Sequence, residues 1–145
     1  SSAAQDAIFE ASARILETIS VTKNADLVFG TIVPDTSEDG FVTVQTNGRR
    51  QCDAHLTCID SYSRADFTVS GKQNAKYWVT LPEAGVLSSG EETMEIDNFT
   101  SNLLFGWGTL YGGTDDFKVG ARIKLKANQQ PGDYIGTFAV TVEYE

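Results

Sequence analysis

The chain contains a single histidine, a single methionine, three prolines and two cysteines in 145 residues. With His55 as the only imidazole, acid–base or triad catalysis has little to build on, because it needs several groups with shifted pKa values converging on one point. Long apolar runs are also missing. None approaches the roughly 20 residues that cross a bilayer as a helix, and the chain does not open on a charged stretch followed by an apolar leader core. The small-residue start Ser1-Ser2-Ala3-Ala4 is compatible with a processed end. Cations are scarce, eleven Lys plus Arg against twenty Asp plus Glu for a net charge of −9. That balance argues against nucleic acid or an anionic membrane as partner, since both reward positive charge.

What is present suits one folded domain. Hydrophobic residues make up 41% of the chain and the 13 glycines suggest many turns. A domain of this length can bury roughly 68–70% of its unfolded surface in one core. From Asp26 onward, short stretches rich in Val, Ile, Thr, Phe and Tyr are broken by Gly, Asn, Asp and Pro, with no convincing helix. The candidate strands are Asp26–Val33, Phe41–Thr46, Arg50–Ala54, Ala65–Ser70, Lys76–Leu81, Thr93–Phe99, Leu103–Leu110, Phe117–Lys126 and Tyr134–Tyr144. So many short strands fit two packed antiparallel sheets.

The last of these has the clearest pattern. Phe138, Val140, Val142 and Tyr144 alternate with Thr137, Ala139, Thr141 and Glu143, which predicts a strand with one apolar face running through the core. The first 25 residues differ in kind, lacking Gly and Pro altogether. Ala7, Phe9, Ala11, Ala13 and Ile15 alternate as in a strand, while Ala4, Ile8, Ala11, Ile15 and Ile19 share one stripe of a helix. Residues 3–14 are ambiguous on propensity, and Ile15–Thr22, richer in β-branched residues, reads better as strand.

Cys52 and Cys58 enclose five residues with His55 among them. A disulfide closing this loop suits an oxidising compartment. A metal site with His55 has no second ligand cluster and matches no usual zinc spacing, and a redox pair would want Cys-X-X-Cys. Elsewhere the chemistry is thin. Adjacent carboxylates such as Glu91-Glu92 and Asp115-Asp116 point to opposite faces in a strand, which does not suit a glycosidase pair. Asp35–Gly40 lacks the alternating oxygen ligands and closing Glu of a calcium loop. Gly106-Trp107-Gly108 is not followed by the Lys-Ser/Thr pair and helix of a phosphate loop. Asn98-Phe99-Thr100 matches a glycosylation triplet that also arises by chance. Trp78, Trp107, Tyr111 and Phe105 could form a sugar-binding platform, although aromatics in β-sandwiches more often pack inside. The expectation is a protein that is not an enzyme and uses neither cofactor nor metal.

Four stretches carry a resemblance: Ala25–Pro34, Ala75–Pro82, Met94–Phe99, and Phe117–Ile123 together with Gln129–Tyr144. In their order and spacing the chain resembles an uncharacterised bacterial domain family related to spore-coat U proteins and archaic chaperone-usher pilins. The Cys52/Cys58 loop and Leu103–Tyr111 fall outside that pattern. The resemblance implies an all-β, immunoglobulin-like two-sheet sandwich that is incomplete, its final strand supplied in trans by donor-strand complementation. Residues 1–13 would be the donor-strand extension and 14–145 the pilin domain. Ala7, Phe9, Ala11 and Ala13 would form the donor face with Phe9 as anchor, and Phe138, Val140, Val142 and Tyr144 the last strand and acceptor groove. Residues 3–13, fully extended, would reach about 36 Å at roughly 3.3 Å per residue, enough to follow a sheet edge. The final apolar strand ends at the C-terminus with an unpaired edge, which something must cover. The implied partners are identical or homologous pilin subunits, a periplasmic chaperone, an outer-membrane usher, and a host or abiotic surface. The implied location is a cell-surface fimbrium reached through the periplasm. The alternative function is a secreted carbohydrate-binding adhesin module.

Overall fold

One long strand organises the molecule. In the computed structural model, which describes residues 3–145, β11 runs over Thr114–Leu125. Phe117, Val119, Ala121, Ile123 and Leu125 are buried along it, while Lys118, Arg122 and Lys124 alternate with them on the wetter side. The strand is long enough to serve different neighbours at its two ends. Residues 114–119 pair with β6 (Ala65–Ser70) and 121–125 with β3 (Gly40–Val44), while the opposite edge pairs over 119–124 with β9 (Glu92–Ser101). The sheet continues outward through β1 (Ser20–Ala25) on β6, β4 (Arg50–Cys52) on β3 and β8 (Gly85–Ser89) on β9.

A second, three-stranded sheet has β7 (Lys76–Thr80) at its centre, with β10 (Trp107–Thr109) and β12 (Thr141–Tyr144) at its edges. A short antiparallel ladder joins β2 (Thr31–Val33) to β5 (Thr57–Ile59). All ladders are antiparallel, and among the described residues there is no α-helix, only two 3₁₀ turns, at Leu104–Gly106 and Tyr111–Gly113. The chain is all-β. Cys52 of β4 and Cys58 of β5 form a disulfide that ties the small ladder to the large sheet.

Two cores result. The first gathers Phe29, Val42, Val44, Leu56, Met94, Ile96, Ala121, Ile123 and Leu125, with both half-cystines packed against it. The second lies between the two sheets: Ala65, Val69, Phe117 and Val119 come from the large one, Tyr77 and Val79 from the small one, and Leu110 closes one side. Each fully buried Val, Ile or Phe contributes roughly 1.5–3 kcal/mol. Tyr77, wholly buried, donates its hydroxyl to Asp115 Oδ2 at 2.7 Å. Burial first, and then that carboxylate, push its phenol pKa well above the ordinary range. Gly108 is opposite Tyr77 in the β10–β7 ladder, and any Cβ there would overlap the ring.

Several expectations from sequence need correction. Tyr134–Tyr144 is a strand only over Thr141–Tyr144, because upstream of it only Ile135 finds a partner, in a single bridge to Ser88. Leu103–Leu110 begins as a 3₁₀ turn with Phe105 in a left-handed conformation, φ 55°, before β10. Asp26–Val33 breaks at Gly30, φ 90°, leaving a bridge at Val28 and then β2. The ladder of β1 instead occupies Ser20–Ala25, and β5 and β8 lie in stretches where no strand was expected. Trp78 and Trp107 are not core residues: each remains about two-fifths exposed on the outer face of the small sheet.

Candidate functional site

The second core is open along one side. β12 pairs with β7 through Thr141–Thr80, Val142–Val79, Glu143–Trp78 and Tyr144–Tyr77, and among the described residues its other edge has no strand partner. Alternation turns Val142 and Tyr144 inward, yet both stay half-buried. Val140, just upstream, is likewise half-buried against this core. Phe138 is 40% exposed, its ring 5.1 Å from that of Phe99, and it lies over Gly85, where a Cβ would crowd it. Residues 136–140 form no ladder. Of the four residues expected to line the groove, Val140, Val142 and Tyr144 lie against this core, while Phe138 sits beside Phe99, a residue the sequence pattern did not single out.

Residues 3–16 are the counterpart. They have neither helix nor strand, which resolves the ambiguity of their pattern in favour of neither period. Ala7, Phe9, Ala11 and Ala13 are all exposed, Phe9 at 86%, and their neighbours Ile8 and Ile15 reach 97% and 93%. A soluble surface rarely leaves such side chains bare in succession, so this segment is an apolar strip without a cover in the single chain. Packing starts at Ile19, which reaches the second core, and the β1–β6 ladder begins at Ser20.

Arm and rim meet at one point. The Tyr144 hydroxyl donates to the Glu17 carbonyl at 2.8 Å and accepts from the Lys72 amide at 2.8 Å, while Gly71 leaves it room that a Cβ would take. The last residue of β12 thus clips the place where the arm leaves the body. Glycine–lysine in a turn and a tyrosine far along the chain form no local motif, so no sequence signal marked this contact.

The other candidate groups are engaged locally. Cys52 and Cys58 are oxidised to each other, which leaves no thiol to pair with His55. The Nε2–H of His55 donates to the Asp39 carbonyl at 2.7 Å, and that bond raises its pKa above the ordinary value. Asp35 accepts from the Ser37 amide and hydroxyl and from the Glu38 amide; the Ser37 amide is the main reason its carboxyl lies below the usual range. Asp115 and Asp116 diverge as strand geometry requires, one to Tyr77 and the other to the Thr68 hydroxyl at 2.7 Å. Among the described residues no group of three or more His, Cys, Asp or Glu is placed to hold a metal ion.

Set against known proteins, the chain belongs to the family described as a domain of unknown function, DUF4402, whose pattern matches residues 19–144. The match starts where the packed body starts and leaves the arm outside it. No curated protein and no solved structure matches the chain.

Proposed function

We propose that this chain is a structural subunit of a bacterial surface fibre, polymerising by donor-strand complementation. In this reading the body is an incomplete immunoglobulin-like sandwich, and the N-terminal arm of one copy completes the next. The observation that carries it is the coexistence in one chain of an exposed apolar arm and an open-edged apolar rim. Extended, the arm puts Ala7, Phe9, Ala11, Ala13 and Ile15 on one face. Set beside the free edge of β12, that face would cover Phe138, Val140, Val142 and Tyr144 of another copy, and main-chain hydrogen bonds would satisfy the edge. A head-to-tail contact between different surfaces of identical subunits builds an open filament wherever its rotation does not close into a ring. The disulfide fits passage through an oxidising periplasm, where a chaperone would shield the open rim until an usher exchanged it for the next subunit's arm.

The test is an unboiled denaturing gel of the purified chain beside a variant lacking residues 1–13. The intact chain should give a ladder that collapses to monomer only on heating, as kinetically trapped strand exchange does. The truncated chain should run as monomer yet bind a peptide of residues 1–16. A ladder from the truncated chain would overturn the reading.

A further inference from the structure

The outer face of the small sheet has a composition that strand exchange does not use. Lys76, Trp78 and Thr80 point outward from β7, since Tyr77 and Val79 between them are buried. Register then places Trp107 beside Trp78 on one flank and Glu143 on the other, with Thr109 beside Lys76 and Thr141 beside Thr80. The two indoles are nearly parallel, 18° apart, with centroids separated by 5.6 Å. The two rings stack on each other and stay partly exposed, 42% for Trp78 and 40% for Trp107. An aromatic row thus crosses the centre of a sheet whose remaining outward positions are hydrogen-bonding groups.

From this arrangement the geometry points to a binding site for a neutral carbohydrate on the Trp78–Trp107 row. A pyranose ring has an apolar C–H face that stacks on an indole and a rim of hydroxyls. Here the hydroxyls would meet the Glu143 carboxylate as acceptor, the Lys76 ammonium as donor, and the threonine hydroxyls as either. Size separates this ligand from a protein partner: a stable protein interface engages about 20–30 residues a side, far more than this small patch. Charge separates it from nucleic acid, whose stacking platforms lie in positively charged grooves, whereas this chain carries −9. The polar surround separates it from a lipid surface, which would desolvate Glu143 and Lys76 without giving them partners. The site lies on the face of β12 and β7 away from the second core, so it operates whether or not strand exchange occurs.

Trp78 and Trp107 are the only tryptophans in the chain, so intrinsic fluorescence reports on this row alone. The full chain is titrated with cellotetraose, chitotetraose and mannotetraose, with phosphatidylcholine vesicles and single-stranded oligonucleotide as competing probes. A saturable emission change is expected with at least one of the oligosaccharides. Trp78→Ala and Glu143→Gln should each weaken it by about tenfold or more at unchanged circular dichroism, and Trp107→Tyr, which keeps an aromatic ring, should retain binding. The proposal is overturned if no oligosaccharide changes the emission up to millimolar concentration, if only vesicles or oligonucleotide do, or if binding survives Trp78→Ala intact.

Discussion

Around the first core, Val42 and Val44 are fully buried, Ile96 and Ile123 are 2% exposed, and Ile32 and Cys58 of the disulfide-held β2–β5 ladder close over them. Around the second, Tyr77, Phe117 and Val69 are as deeply buried, yet Phe99, Val140, Val142 and Tyr144 form a rim that stays half-buried and Phe138 is 40% exposed. The first draws its buried strand residues from β3, β9 and β11, the second from β6, β7 and β11, and it is beside β7 that the edge strand β12 stays half-buried. The second core thus keeps partly wet apolar surface along β12.

That contrast can be broken, and the largest effect should come from the closed side. Ile123→Ala removes a buried side chain at the crossing of β11, β3 and β9 and should cost about 2–5 kcal/mol, read as a lower urea midpoint. Val142→Ala on the rim should cost less than about 1 kcal/mol in the single chain, because its site is still partly solvated; an equal loss at both positions would mean that the rim is not open. Next in size, replacing Cys52 and Cys58 together by Ser frees a short loop and should lower stability by about 2 kcal/mol in thermal unfolding, without changing arm-dependent assembly. A smaller effect is set by acid. Arg122 holds Asp97 through two hydrogen bonds of 2.8 and 2.9 Å, and Lys118 holds Asp66 at 2.9 Å, so both carboxyls titrate below their ordinary range. A depressed folded-state pKa gives stability that is present above the unfolded pKa and is lost as pH falls through the folded one. Denaturant melts should therefore show stability declining below about pH 4, and Asp97→Asn should flatten part of that decline. The smallest stability effect belongs to Phe9→Asp: no change in the melt of the single chain, since Phe9 is exposed, but no ladder on an unboiled gel, since its charge would enter an apolar rim. Normal assembly by that variant would place the donor face elsewhere.

Much of the body was legible because strand alternation is local. Ala65–Ser70 and Lys76–Thr80 appear close to where the pattern put them, and the strand expected over Phe117–Lys126 starts three residues earlier and ends one sooner. The oxidised cysteine pair was legible from its spacing. What escaped depends on partners far along the chain. The alternation of Phe138 and Val140 with Thr137 and Ala139 continues that of β12, but a ladder needs a neighbour, and upstream of β12 only Ile135 has one. Gly85–Ser89 has little β-branched content and is a strand because β9 lies beside it. The outward position of Trp78 follows from Tyr77 occupying the interior, and composition could not say which of two adjacent aromatics would turn in. The arm was ambiguous in sequence for a related reason: among the described residues no hydrogen bond to the body holds residues 3–16.

The clip between Tyr144, Glu17 and Lys72 also has a mechanical meaning. A pull on the arm along the axis of β1 enters the body at Ser20, where the strand pairs with Ser70. Because β1 and β6 are antiparallel and loaded lengthwise, their hydrogen bonds would share the force in shear instead of opening one after another. The Tyr144 hydroxyl, bonded to the arm just ahead of that ladder, would restrain it from swinging sideways into a peel. Stretched in a force spectrometer from the arm and the far end of the large sheet, Tyr144→Phe should yield at lower tension than the native chain; equal yield forces would assign the clip no share of the load.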